Sequence, residues 1–326
     1  MKKTITIFTL LALALATACE KTGDELYDPE EAGVWTLFNT ASGLPSDNVE
    51  GIALDRDNNL WVTFPSSGAA KYSNGAWTVY RTTNSEILSD AVTSVSATDG
   101  GNIIIGTTDG ISVLSANGLW TSYRDPEAAT MYINCARVTS AGHIWVGTRD
   151  NGLYIDTGSG FTRLDETQFP NVMAIEEDND NNVYVGTGNG IMKWNGTSWI
   201  RITEASGLPS NKVTALRTDN KGRLWVGTAD GIKVAYIDMS GIRTISLMAG
   251  ATATNITDVF EDRRGHMWFS TSGKGVIRYD GVIPHSYKVY NGFFEDDVTC
   301  IGEDDEGNLW FGLRSKGLVR YTLPLN

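Results

Sequence analysis

Short apolar runs alternate with Gly-, Asp- and Asn-rich punctuation from about residue 34 to residue 323. One run returns seven times: Leu60-Trp61-Val62-Thr63, Ile103-Ile104-Ile105-Gly106, Ile144-Trp145-Val146-Gly147, Val183-Tyr184-Val185-Gly186, Leu224-Trp225-Val226-Gly227, Met267-Trp268-Phe269-Ser270 and Leu309-Trp310-Phe311-Gly312. Successive aromatic positions, with Ile104 standing in once, lie 43, 41, 39, 41, 43 and 42 residues apart. Repeat five shows the unit. Val213–Asp219 is a β-branched strand, Asn220-Lys221-Gly222 a turn, and Leu224–Thr228 a second strand. Ile232–Ile237 and Ile242–Leu247 complete four antiparallel strands. A period near 40 built this way predicts an all-β, seven-bladed β-propeller.

Several details support that reading. A turn glycine precedes the third strand in every repeat (Gly68, Gly110, Gly152, Gly190, Gly231, Gly275, Gly317), as a tight hairpin needing φ > 0 requires. First strands begin at Val49, Val92, Ile133, Val172, Val213, Ile256 and Val298, and are apolar or small on both faces, as strands covered by a neighbour on each side must be. Fourth strands open with Trp77, Trp120, Phe161, Trp199, Ile242 and Tyr287. Repeat seven ends after its third strand, Leu318–Thr322. The missing pattern sits at the other end, Val34-Trp35-Thr36-Leu37-Phe38-Asn39, so the N-terminal strand is predicted to complete the last blade and hide its edge. The shared tryptophans read as blade-to-blade packing.

The ends set the domain boundaries. Lys2 and Lys3 precede the apolar run Ile5–Ala18, which is short for a membrane span. It closes on Ala16-Thr17-Ala18-Cys19, which resembles a bacterial lipobox. Residues 1–18 are therefore expected to be a lipoprotein signal peptide and Cys19 the lipidated residue. Residues 19–32 are an acidic flexible tether and 33–326 the propeller. Glu20 resembles the outer-membrane sorting position of envelope lipoproteins. The net charge is −13, which argues against nucleic acid and against an anionic lipid surface; membrane contact is expected only through the lipid on Cys19.

Segments such as Gly207-Leu208-Pro209-Ser210-Asn211-Lys212-Val213-Thr214-Ala215-Leu216, followed by Asp219-Asn220-Lys221-Gly222-Arg223-Leu224-Trp225-Val226-Gly227-Thr228, closely resemble the two-component regulator propeller repeat, as does Gly43-Leu44-Pro45-Ser46-Asp47-Asn48-Val49. The resemblance covers about residues 34 to 323. It implies a seven-bladed propeller of the kind found in the extracytoplasmic sensor regions of Bacteroidetes hybrid two-component systems, many of which respond to glycans. Those usually carry paired propellers and a kinase; this sequence reads as one propeller, so signalling would need a partner.

Catalytic signals are thin. His143 and His266 share one turn position, and His285 has no obvious sequence partner. Cys135 and Cys300 fall where other repeats have small residues or Asp258, so they read as packing groups on non-adjacent blades, out of disulfide reach. Asp178-Asn179-Asp180-Asn181-Asn182 starts like a calcium loop but lacks the later Glu. Gly186-Thr187-Gly188-Asn189-Gly190 leads into a strand rather than a phosphate-binding helix. Asp219–Trp225 faintly resembles a sialidase Asp-box. Streptogramin lyases share the propeller scaffold but keep His and Glu near the axis. No metal and no cofactor are expected.

Ligands are expected on the face that collects the second-to-third and fourth-to-first loops, where the sequence varies most. Candidate residues are Asp109, Tyr132, Arg149, Asp150, Asp230, Lys274, Phe293, Phe294, Arg314 and Lys316, with Phe169 beside them and Asp258 pointing into the axial channel. The expected function is a lipid-anchored envelope propeller at the outer membrane, periplasmic or surface-exposed. It would recognise a glycan, a peptide or a partner envelope protein, and the role is linked to nutrient sensing. The alternatives are a lyase or glycosidase with an axial site, and a structural component of an outer-membrane complex.

Overall fold

The computed structural model describes residues 33–164, 167–229, 231, 233–248 and 254–322. The signal peptide, the tether and Cys19 lie outside the described residues. The described chain forms seven four-stranded antiparallel sheets. In each blade the first strand is innermost: Gly51–Leu54, Val92–Ala97, Ile133–Val138, Ala174–Glu177, Val213–Thr218, Ile256–Glu261 and Val298–Glu303. These seven strands contact one another in a closed ring. The predicted latch is present: β1 (Val34–Phe38) pairs antiparallel with β28 (Leu318–Thr322) and gives blade 7 its outer strand.

Burial follows position in the blade. The second strand is buried along its length in six blades and loses cover only at Ile144 in blade 3. Fourth strands carry no fully buried residue, only half-buried and exposed ones. The apolar side chains form seven clusters, one in each seam between neighbouring blades. There is thus no single core; stability is shared among seams, as in repeat proteins generally. Two repeat glycines show why the motif is strict. A Cβ at Gly227 would stand 2.6 Å from the Ile256 side chain of the next blade. Gly275 takes φ 70°, and a Cβ there would meet the Tyr287 carbonyl at 2.0 Å. Gly231 lies between residues outside the described set.

The Asp-to-Trp segment proves to be an internal brace. Asp219 accepts the indole N–H of Trp225 at 2.8 Å, and Asp55, Asp262 and Asp304 do the same for Trp61, Trp268 and Trp310. In blade 4 the Tyr184 hydroxyl donates to Asp178 at 2.9 Å. The same carboxylates accept N–H groups of their own turn, so Asp178 is consumed by its turn. Burial alone would raise the carboxyls of Asp55, Asp178, Asp219 and Asp262; the bonds from turn and ring together hold them below the ordinary range. All five tryptophans of the shared position are buried, which excludes them as a sugar platform.

Blade 3 has Thr139 where the braced blades have Asp, and its Trp145 indole nitrogen is buried without a partner. Thr139→Asp should therefore stabilise the fold by about 1.5–3 kcal/mol, the usual worth of a hydrogen bond to a charged group. The melting temperature should rise by a few degrees, and a melt unchanged or lowered would contradict the brace.

Two sequence expectations shift. In blade 6 the fourth strand is Pro284–Tyr287 and Tyr287 closes it rather than opening it, because Tyr279 pairs with Pro284 across a tight hairpin. His285 has a neighbour after all, Asp280, at 3.6 Å across that hairpin.

Candidate functional site

The first strands enclose an axial channel of about 550 Å³, within the usual size range of ligand pockets. Its two ends differ. At one end the loop after the second strand is laced to the start of a first strand in six blades; in blade 1 Pro65 has no N–H to give. Arg149 N–H donates to the Tyr132 carbonyl, Ser272 to Asn255 and Arg314 to Asp297. This is the predicted loop face. The other end carries the short turns between first and second strands, and is called the turn face below.

Side chains one step inside the loop face tie blades together. The hydroxyls of Thr214 and Thr257 donate to the Ile256 and Val298 carbonyls at 2.6 and 2.5 Å, and the Asn134 amide donates to the Val172 carbonyl at 2.9 Å. At the turn face acids perform the same task. Glu177, Glu261 and Glu303 accept backbone N–H groups of Ser140, Asn220 and Arg263 in the preceding blade. Burial is the main reason that Glu303 is pushed up to about 7.

Between these layers the channel is chemically one-sided. Equivalent first-strand positions are Ala53, Ser96, Arg137, Glu176, Arg217, Phe260 and Gly302. Blades 3 to 6 thus supply charge and an aromatic ring; blades 7, 1 and 2 supply small residues. Arg137 binds Glu176 at 2.7 Å, and Glu176 also accepts Thr218 N–H at 3.1 Å. The Arg217 guanidinium lies 4.9 Å from the Phe260 ring centre. Burial raises the Glu176 carboxyl despite the nearby Arg137 and Arg217.

Asp258 lines the channel, as expected, and its residual exposure is to that hollow. It accepts N–H groups from Val259 and, across the seam, Ile301 at 2.8 and 2.9 Å. Burial nevertheless pushes it up to about 6. The thiols of Cys135 and Cys300 share its layer; burial drives both well up, that of Cys135 to about 12, so they are inert packing groups. No histidine lines the channel. Among the described residues no cluster of His, Cys, Asp or Glu has metal-binding geometry, and no helix is long and apolar enough to cross a membrane.

The structure disperses the loop-face candidates into pairs. Arg149 lies flat on Tyr132, its guanidinium carbon 3.6 Å from the ring centre. Arg314 pairs with Glu50 at 2.7 Å, at the channel mouth. Asp150 and Lys316 are exposed, and Asp109 and Lys274 half-buried. Phe293 is core: it meets Trp35 edge-on at 5.2 Å and is 5% exposed. Phe294 packs half-buried against the same cluster, and Phe169 is buried against Trp199. An aromatic in a loop before a first strand has a seam to cap, and seam burial wins over exposure. Asp230 lies outside the described residues. Sequence reasoning missed Arg137, Glu176 and Arg217. Aligning the first strands with one another would have exposed them, since three blades carry only Ala, Ser or Gly there.

A family model described as two component regulator propeller matches residues 207–230, 250–273 and 292–315. No curated protein sequence matches the chain significantly. Similar solved structures include the extracellular domain of a B. thetaiotaomicron protein described as a hybrid two component system (17% identity, TM-score 0.74). That match covers 89% of this chain and 42% of the other, so the chain spans less than half the length of that relative. A virginiamycin B lyase from Staphylococcus aureus, solved with quinupristin, is 18% identical over 89% of this chain and 99% of its own (TM-score 0.72). YCF48 bound to D1 peptide is 14% identical over 92% and 99% (TM-score 0.68). At such identities the structural likeness shows the fold alone. The specific signal is the repeat itself, read from the residues and matched by the family model in three of the seven blades: in these stretches the chain carries the two-component regulator propeller repeat.

Proposed function

We propose that this propeller is a non-enzymatic binding module of the cell envelope, held to the outer membrane by lipid on Cys19, that captures an extracytoplasmic glycan, peptide or partner protein on its loop face. The observation that carries the reading is the composition of that face. Laced loops on a rigid ring present Arg149 stacked on Tyr132, with Arg314 and Glu50 at the mouth of the channel. A flat guanidinium–aromatic pair with exposed N–H groups suits hydroxyl- or carboxylate-bearing ligands. The extracellular setting of the Bacteroides relative supports the location, and the lipobox supports the anchor.

Binding of polysaccharide fragments and peptides by calorimetry tests it. The Arg149→Ala, Arg314→Ala double variant should bind roughly 10-fold or more weakly, the scale of losing interfacial arginines. Unchanged affinity for an established ligand would remove the loop face from consideration. Cys19→Ala should release the protein from the membrane fraction.

The enzyme alternative has one observation in its favour, the carboxyl of Asp258 held near neutrality inside the channel. It predicts turnover that disappears in Asp258→Asn. Binding without turnover supports the module.

A further inference from the structure

Blade 2 breaks the repeat where the other blades are most alike. Ile104 occupies the shared tryptophan position, and its cross-strand partner is Val113. The corresponding pair in blade 7 is Trp310 and Arg320. The turn of blade 2 has Thr98 and Gly100 where blade 7 has Asp304 and Glu306. Ile104, Val113 and Gly100 are smaller than their counterparts, and the equivalent grooves on the turn face differ accordingly. The groove between blades 7 and 1, walled by Trp310 and Arg320, holds about 280 Å³. The groove between blades 2 and 3, walled by Ile104, Val113 and Ile144, holds about 660 Å³.

The wider groove runs inward. Ser96, Ala97, Arg137 and Ile175 line both it and the axial channel. On this shared floor two polar atoms are buried without a hydrogen-bond partner, Ser96 Oγ and Arg137 Nε. Neither atom reaches the groove, but the Arg137 side chain is 35% exposed, so the end of its guanidinium can donate to a ligand there. Arg137 has an N–H to give but little net charge, because Glu176 already neutralises it at 2.7 Å. The outer lining carries Asp99 and Glu177, both acidic.

We propose that the groove between blades 2 and 3 is a binding site for an uncharged or cationic aromatic molecule. Its ring lies over Val113 and Ile144, beside the buried Ile104, and an acceptor oxygen meets the exposed end of the Arg137 guanidinium. Anionic relatives are rejected by Asp99 and Glu177. The site is on the turn face, so it stands independently of the loop-face reading.

Ligand-observed NMR with three probes tests it: N-acetyltryptophanamide (neutral), tryptophanamide (cationic) and N-acetyltryptophan (anionic). The first two should bind, and the third roughly 10-fold more weakly. Ile104→Trp combined with Val113→Arg rebuilds the blade 7 arrangement and should abolish binding while keeping a cooperative melt. If that variant does not fold, Ile104→Phe alone must show the loss. The proposal fails if neither the neutral nor the cationic probe binds, if the groove-filling variant binds as well as the parent, or if the anion binds as well as the cation.

Discussion

Trp35→Ala should lower stability by about 3 kcal/mol, the low end for truncating a large aromatic, because Trp35 is only half-buried. The side chain sits at the closure of the ring. It faces Tyr321 directly across the β1–β28 ladder and stacks on it at 4.1 Å, and it meets Phe293 and Phe311 at 5.2 and 5.8 Å. Removing it loosens the one blade built from both ends of the fold, and so exposes the edge of Leu318–Thr322. At this chain length the melting temperature should fall by roughly 6–12 °C. Val34→Ala serves as control: Val34 is 65% exposed in the same strand and should move the melt little. Equal effects from the two substitutions would mean that the latch depends on the backbone ladder and not on the aromatic cluster.

Asp258→Ala should stabilise the protein at neutral pH, and the gain should vanish in acid. The folded-state pKa is raised from 3.8 to about 6, chiefly by burial. A raised carboxyl binds more protons folded than unfolded between those values. Its stabilising contribution is therefore complete below the unfolded pKa and is lost as pH rises through about 6. Above that pH the charge costs about 3 kcal/mol at most, two units or so at 1.36 kcal/mol each. The other six blades place Gly51, Ser94, Cys135, Ala174, Ala215 and Cys300 at this position, so alanine fits the ring. Urea titrations at pH 4 and pH 7.5 should show the variant ahead only at the higher pH. A variant less stable than the parent at pH 7.5 would show that the bonds to Val259 and Ile301 outweigh the buried charge.

Much of this architecture was legible one residue at a time. The 40-residue period, the hairpin glycines and the Trp35 segment are local patterns, and each reports a local demand: a strand edge to pair, a φ to reach, a face to bury. The loop face also followed from order along the chain, because alternating strands must put alternate connections at opposite ends of the ring. The candidate site was less legible. Phe169 and Phe293 look like loop aromatics in sequence, yet each is folded into a seam whose other wall lies in a neighbouring strand or blade.

The sequence by itself determined seven blades, their closure and the family to which the repeat belongs, since these rest on near-neighbour geometry repeated until it is unmistakable. Only the tertiary structure decided what the repeats enclose. Arg137, Glu176, Arg217 and Asp258 lie up to 121 residues apart and share a channel only once the ring has closed. The groove beside Ile104 is a difference in volume between two equivalent seams, set by side chains of both blades that meet there, and no single repeat contains it.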